Sequence, residues 1–289
     1  SVAGIGAAAG MLILAGGEQF IAHKVKSLLD ERVRRVDIGS PLVGHAVALS
    51  LFGVAGAGAF VVAKRRIEAG DDIVEPAYPE PPASPEVTAG PNSNVAFDAI
   101  GKEGRRFVLM ALTAPEISAV MNEPARDPIR IVGGYEAAPS TEERAQVCLQ
   151  EMESIGAFDR SLICIASPTG VGYVSYTFVE SLEYLTRGDC ATVIPQYALV
   201  PSAMALFDTA DGVALQRRVL ELTRDRIKEL PADRRPKLVQ FGESLGAQVA
   251  LDVAYPAGTG EFDELGLDAG LYLGVPFRSA SWNSWWNAQ

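Results

Sequence analysis

Histidine is almost missing from this chain. Its 289 residues hold two, His23 and His45, both far upstream in apolar or basic surroundings. The side chain best suited to act as a base near neutral pH is therefore absent from most of the sequence. Cysteine is scarce too. Cys148, Cys164 and Cys190 form no C-x-x-C pair and make an odd set, which argues against a disulfide scaffold and against a zinc site. Positive charge is in deficit: 25 Lys and Arg against 36 Asp and Glu give a net charge of −11. That balance excludes the electrostatic footprint of a nucleic-acid binder. Neither a metal nor a cofactor is expected.

What the chain has instead is apolar sequence. Hydrophobic residues make up 48% of it, and for so charged a chain this points to membrane segments rather than to one soluble globule. Residues 41–63 carry no formal charge and, at about 1.5 Å per helical residue, are long enough for a bilayer core of about 30 Å. Gly53, Ala55, Gly56, Ala57, Gly58 and Ala59 fill its second half, a pattern that lets a neighbouring helix pack closely. Lys64, Arg65 and Arg66 close it as an interfacial stop. Residues 1–17, apolar and rich in Gly and Ala, read as the end of another span; the rival signal-peptide reading lacks a basic leading region. Between them, residues 18–35 read as an amphipathic surface helix. Five Lys and Arg precede the span and three follow it, which favours a large domain outside the cytoplasm. Residues 1–70 are thus expected to form membrane helices.

Residues 71–94 hold Pro76, Pro79, Pro81, Pro82, Pro85 and Pro91 without hydrophobic period, and read as a semi-stiff linker. From residue 95 to 289 strands and helices alternate. Arg105-Arg106-Phe107-Val108-Leu109-Met110 opens the series, and Ile129-Arg130-Ile131-Val132 reads as a strand ended by glycines. Residues 141–155 read as a helix capped by Thr141 and ended by Gly156. Leu162-Ile163-Cys164-Ile165-Ala166 is apolar throughout, as a central parallel strand should be. A helix at 178–185, a strand at 191–194, a long helix at 213–230 and a strand at 271–275 complete the pattern. Alternation of this kind predicts an α/β domain with a parallel sheet and helices on both faces.

The most specific motif is Gly242-Glu243-Ser244-Leu245-Gly246, a G-x-S-x-G pentapeptide. An apolar strand, Lys237-Leu238-Val239-Gln240-Phe241, runs into it and an Ala-rich helix, 247–254, runs out. Strand, sharp turn and helix are the setting of a nucleophile elbow, with Gly242 and Gly246 allowing the tight backbone. In that reading Ser244 is the nucleophile and the amide of Leu245 is the first oxyanion donor. The competing reading is a serine that only caps the helix. A second donor is expected from the loop at 167–173, through the amide of Thr169 or Gly170. The alternative there is a turn whose glycines serve backbone angles alone; a phosphate loop lacks its G-K-[ST] and G-x-G-x-x-G signatures. Tyr197 reads as half-buried packing, with a place in the cleft wall as the alternative, and none of Asp252, Asp263 and Asp268 is assigned as the triad acid. Phe277, Trp282, Trp285 and Trp286 crowd the C-terminus as a pocket wall, an interface contact or ordinary packing. His45 is expected to make a helix–helix hydrogen bond, and His23 to be solvated.

Gly101-Lys102-Glu103-Gly104-Arg105-Arg106-Phe107-Val108 resembles the opening of the catalytic domain in the actinobacterial membrane-anchored α/β-hydrolase family. Gly156-Ala157-Phe158-Asp159-Arg160, Pro168-Thr169-Gly170-Val171-Gly172-Tyr173, Leu230-Pro231-Ala232-Asp233-Arg234-Arg235-Pro236 and the elbow follow in the family's order. The resemblance implies an α/β-hydrolase-like domain after N-terminal transmembrane helices, and a lipase- or esterase-like serine hydrolase with Ser244 as nucleophile. It also implies that the domain continues beyond Gln289, where its acid and histidine would lie, so that these 289 residues alone are nearly inactive. The expected substrate is an acyl ester or lipid-like molecule at a membrane. The alternatives are a non-catalytic membrane-anchored binding module on the same scaffold, or an acyltransferase or peptidase using the same elbow.

Overall fold

A computed structural model of the chain describes residues 78–198 and 209–287, together with residues 58 and 61. The chain divides into two compact units, residues 1–66 and 67–289, and the sheet with its helices lies in the second. The expectations for residues 1–17, 18–35 and 41–63, and for His23 and His45, fall outside the described residues. Among the described residues no helix is long and apolar enough to cross a membrane.

Five strands form one parallel sheet in the order β1-β3-β2-β4-β5: β1 is Ile129–Gly133, β2 Leu162–Ser167, β3 Cys190–Pro195, β4 Lys237–Glu243 and β5 Ala269–Leu273. The apolar runs of β1, β2 and β3 become strands because both their faces are covered, whereas β5 is mostly exposed. Along β1 to β3, Ile129, Ile131, Ile163, Ile165, Ala191 and Val193 are buried in one cluster. That cluster includes residues of helices α3 (Thr141–Ile155), α5 (Thr209–Glu229) and α6 (Leu245–Asp252). Val132, Cys164, Ala166 and Ile194 alternate with them and join Phe241 in the second cluster. Helices α1 (Gly101–Leu109) and α4 (Tyr176–Thr186) contribute Phe107, Val108 and Val179 there. Period-two alternation thus splits the core into two layers, one on each side of the sheet. Two short helices, α2 (Ala114–Met121) and α7 (Gly260–Glu264), and a last helix α8 (Ala280–Asn287) complete the unit.

Several local expectations shift. The run 105–110 lies mostly in α1, whose apolar positions Phe107 and Val108 are buried. Helix α3 is capped by Ser140, not Thr141: the Glu143 N–H donates to Ser140 Oγ (3.2 Å) and the Ser140 N–H to Glu143 Oε2 (3.2 Å), a reciprocal capping box. Gly156 ends that helix with φ 85°. Part of the proline-rich stretch belongs to the sheet's edge. The Arg130 N–H donates to the Glu86 carbonyl (3.2 Å), the Thr88 N–H to the Arg130 carbonyl (3.0 Å), and the Val132 N–H to Thr88 Oγ1 (3.0 Å). Val87 and Thr88 are buried there.

Inside the second cluster sits an ion pair with no solvent exposure on either side chain. Arg130 donates through Nε and Nη2 to both carboxylate oxygens of Glu183 (2.6 and 2.9 Å). Its Nη1 donates to the Phe107 carbonyl (2.8 Å), and its guanidinium lies 4.9 Å from the Phe107 ring centre. Bidentate geometry and a third partner satisfy the buried arginine almost completely.

The strand order has one reversal. From β2 the chain moves through α4 to β3 on one side, then returns through α5 to β4 on the other. The carboxyl ends of β2 and β4 therefore flank the topological switch point, where α/β sheets bind ligands.

Candidate active site

Ser244 occupies that switch point. It follows β4 directly and immediately precedes α6. Its backbone has φ 53° and ψ −122°, a positive φ that side-chain-bearing residues rarely adopt. Its side chain makes no capping hydrogen bond to α6, and the residue is exposed. Two bonds hold the strained turn: the Ser244 N–H donates to the Leu273 carbonyl at the end of β5 (2.8 Å), and the Gln248 N–H to the Ser244 carbonyl (3.2 Å).

The two glycines of the motif serve space rather than backbone angle, for neither has a positive φ. A β-carbon on Gly242 would stand 2.6 Å from the Gly246 carbonyl oxygen and 2.7 Å from Ala247 Cα. One on Gly246 would overlap the Ser167 carbonyl oxygen and come 3.3 Å from that of Pro168. The left-handed conformation in the pentapeptide belongs to Ser244 itself. Leu245 is the first residue of α6 and is buried. Its N–H is one of the helix-start donors that no intrahelical carbonyl can satisfy, at the positive end of the helix dipole.

The loop at 167–173 begins beside the turn at Ser244. Ser167 ends β2 beside Gly242 of β4, and its carbonyl packs against Gly246. The loop then closes on itself. The Thr169 N–H donates to the Tyr173 carbonyl (2.9 Å), and the Gly172 N–H to the Thr169 carbonyl (2.9 Å). Gly172 takes φ 84°, the left-handed turn that favours glycine. Of the two amides singled out from sequence, Thr169 is engaged within the loop; for Gly170 no such bond forms among the described residues. The Tyr173 ring meets Tyr176 edge-on at 5.4 Å. The Tyr176 hydroxyl donates to Glu103 Oε2 (3.1 Å), tying the far end of the loop to α1. Burial and then the Glu103 charge push that phenol above its usual range.

Among the described residues no group of His, Cys, Asp or Glu could hold a metal ion. A scan against family models matches an alpha/beta-hydrolase family over residues 129–289 and the N-terminal region of such a family over residues 2–111. The chain belongs to the alpha/beta-hydrolase family. No curated protein and no solved structure matches it. Membership points to hydrolase chemistry in general and agrees with the five-stranded parallel sheet flanked by helices.

Several of the remaining side chains considered from sequence have structural partners in this hydrolase fold. Asp252 Oδ1 accepts from Ser279 Oγ (2.7 Å) and the Ser281 N–H (3.0 Å), fastening α8 to α6. Asp268 Oδ2 accepts from the Leu238 N–H (2.8 Å) near the start of β4, at the opposite end of the sheet from Ser244. Asp263 is exposed on α7. Tyr197 is buried in the first cluster, its ring against Gly212 of α5. Trp285 meets Phe262 edge-on, while Trp282 and Trp286 stack at 6.2 Å on an exposed side of α8. Gln196 was not visible from sequence. It is a single polar residue after an apolar strand, and no periodicity marks it, yet it lies directly under the loop at 167–173.

Proposed function

We propose that this protein is a membrane-tethered serine hydrolase that cleaves an acyl ester, in a lipid or a cell-envelope acyl group. One observation carries the reading. Ser244 is exposed at the switch point with φ 53°, held between two glycines that have no room for a side chain. Strain in a residue other than glycine persists where its surroundings over-determine it, and such residues cluster at active sites.

The chemistry follows from the elbow. Ser244 Oγ attacks the ester carbonyl carbon while a base takes its proton. The carbonyl oxygen gains negative charge and is met by the Leu245 N–H and by a second amide from Thr169 or Gly170. The tetrahedral species collapses, the alcohol leaves with a proton, and water hydrolyses the acyl-serine by the same route. Residues 78–287 contain no histidine, so none of them is named as the base. The apolar stretch at 41–63 supports the tether, and the basic residues flanking it support an extracytoplasmic domain.

The test is covalent labelling of the full-length protein with a fluorophosphonate probe, with the site located by peptide mass spectrometry. Label at Ser244, lost in Ser244→Ala, is expected; equal labelling of Ser244→Ala would sink the assignment. Turnover of acyl esters in preference to matched peptide amides separates the esterase from a peptidase. Retention in the membrane pellet after an alkaline carbonate wash tests the tether.

A further inference from the structure

Gln196 follows β3, and its N–H donates to the Gly133 carbonyl (2.9 Å), so its backbone is fixed at the carboxyl ends of β1 and β3. Its side chain is fully buried, at 0% exposure. Neither Nε2 nor Oε1 has a hydrogen-bond partner among the described residues. Burial of a primary amide with both ends unsatisfied is rare in native proteins and calls for a reason. Its surroundings supply one. A β-carbon on Gly172 would overlap Gln196 Nε2, and one on Gly104 of α1 would lie 3.3 Å from it. The unpaired donor is therefore packed between α1 and the turn that closes the loop over residues 169–173.

That loop spends an amide the proposed chemistry could use. The Thr169 N–H is bonded to the Tyr173 carbonyl. If it turned toward an oxyanion on Ser244, a loop carbonyl would lose its donor. We infer that Gln196 is a positioning residue for the oxyanion loop: its amide takes over that carbonyl and so releases the Thr169 N–H toward the substrate. The inference rests on the serine-hydrolase reading of Ser244. One hydrogen bond breaks and two form, so the loop can turn without leaving the Tyr173 carbonyl bare. Gly172 is needed at that turn both for its φ of 84° and because any side chain would displace Gln196 Nε2.

The test compares the full-length protein with Gln196→Met, which keeps the length of the side chain and removes both polar atoms. The probe reaction is phosphonylation: Ser244 Oγ bonds to phosphorus, the P–F bond breaks, and fluoride and the serine proton leave. The phosphonyl oxygen then occupies the place of the oxyanion. Gln196→Met is expected to slow labelling by about 100- to 1,000-fold, the order seen when one oxyanion donor is lost. Its thermal midpoint should be unchanged or higher, because two unsatisfied polar atoms are gone. The ³¹P resonance of the Ser244 adduct should move as a hydrogen bond to the phosphonyl oxygen weakens. Gln196→Asn, with the amide withdrawn by one carbon, should label slowly as well and serves if the Met variant does not fold. Labelling of both variants at the parent's rate, with an unmoved ³¹P resonance, would overturn the inference alone. A parent protein that does not label at Ser244 would overturn the hydrolase reading and this inference with it.

Discussion

Gly246 and Ser167 touch through backbone atoms: a β-carbon on Gly246 would overlap the Ser167 carbonyl oxygen. This contact sets how close the loop after β2 can come to the elbow after β4. Gly246→Ala must push the two apart, since neither atom lies on a flexible side chain. The expected cost is about 1–3 kcal/mol in urea unfolding, together with slower fluorophosphonate labelling of Ser244. Wild-type labelling by a folded Gly246→Ala protein would show that this spacing does not matter.

The strain at Ser244 can be measured directly. Its φ of 53° is costly for any residue with a β-carbon and costs little for glycine. Ser244→Gly should therefore be more stable than Ser244→Ala, by about 1 kcal/mol after the greater chain entropy of unfolded glycine is allowed for. Both variants lose the hydroxyl, so the difference isolates the backbone. Equal unfolding free energies for the two would remove strain from the account of the elbow.

Much of this was legible in the sequence, because the signals were local. The central strands announced themselves as short, mostly apolar runs, since burial on both faces leaves few polar positions. The elbow was legible because G-x-S-x-G couples a strand, a turn and a helix within a few residues. What sequence could not show was contact between distant residues. The run at 105–110 only opened the series in sequence; its Phe107 and Val108 are buried in α1. The pairing of 86–88 with β1 was hidden by prolines that suggested a spacer. The G-x-S-x-G pattern suggests backbone freedom at its glycines, whereas in the fold they make room for Ser167 and Ala247. Gln196 matters only through Gly172 and Gly104, neither of which is near it in sequence.

The Arg130–Glu183 pair should show the asymmetry of buried charges. Arg130→Met leaves a carboxylate in the core without its counter-charge and is expected to cost about 3–5 kcal/mol. The double variant Arg130→Met/Glu183→Leu removes both charges and should recover most of that loss. Urea unfolding of the two proteins checks it. A double variant no more stable than Arg130→Met would mean that lost packing, not the stranded charge, dominates.

The three cysteines should be silent to thiol reagents until the fold opens. All are buried. Burial, then the nearby Glu151 charge, pushes the Cys148 thiol up to about 12. Burial likewise pushes Cys190 up to about 12, and Cys164 upward further, with the neighbouring Cys190 adding to it. The thiolate is the reacting form, so Ellman's reagent at pH 8 should find none of the three in native protein and all of them in urea. The same shift fixes a pH dependence. A thiol raised above its ordinary value of 9.0 holds its proton more tightly folded than unfolded. The associated stability is complete below about pH 9 and drains away as pH climbs toward about 12. Cys148→Ala removes one titrating group, so its unfolding free energy should fall less steeply over that window than the parent's. A steeper or equal fall would show that Cys148 is already ionised, or already exposed, in the native protein.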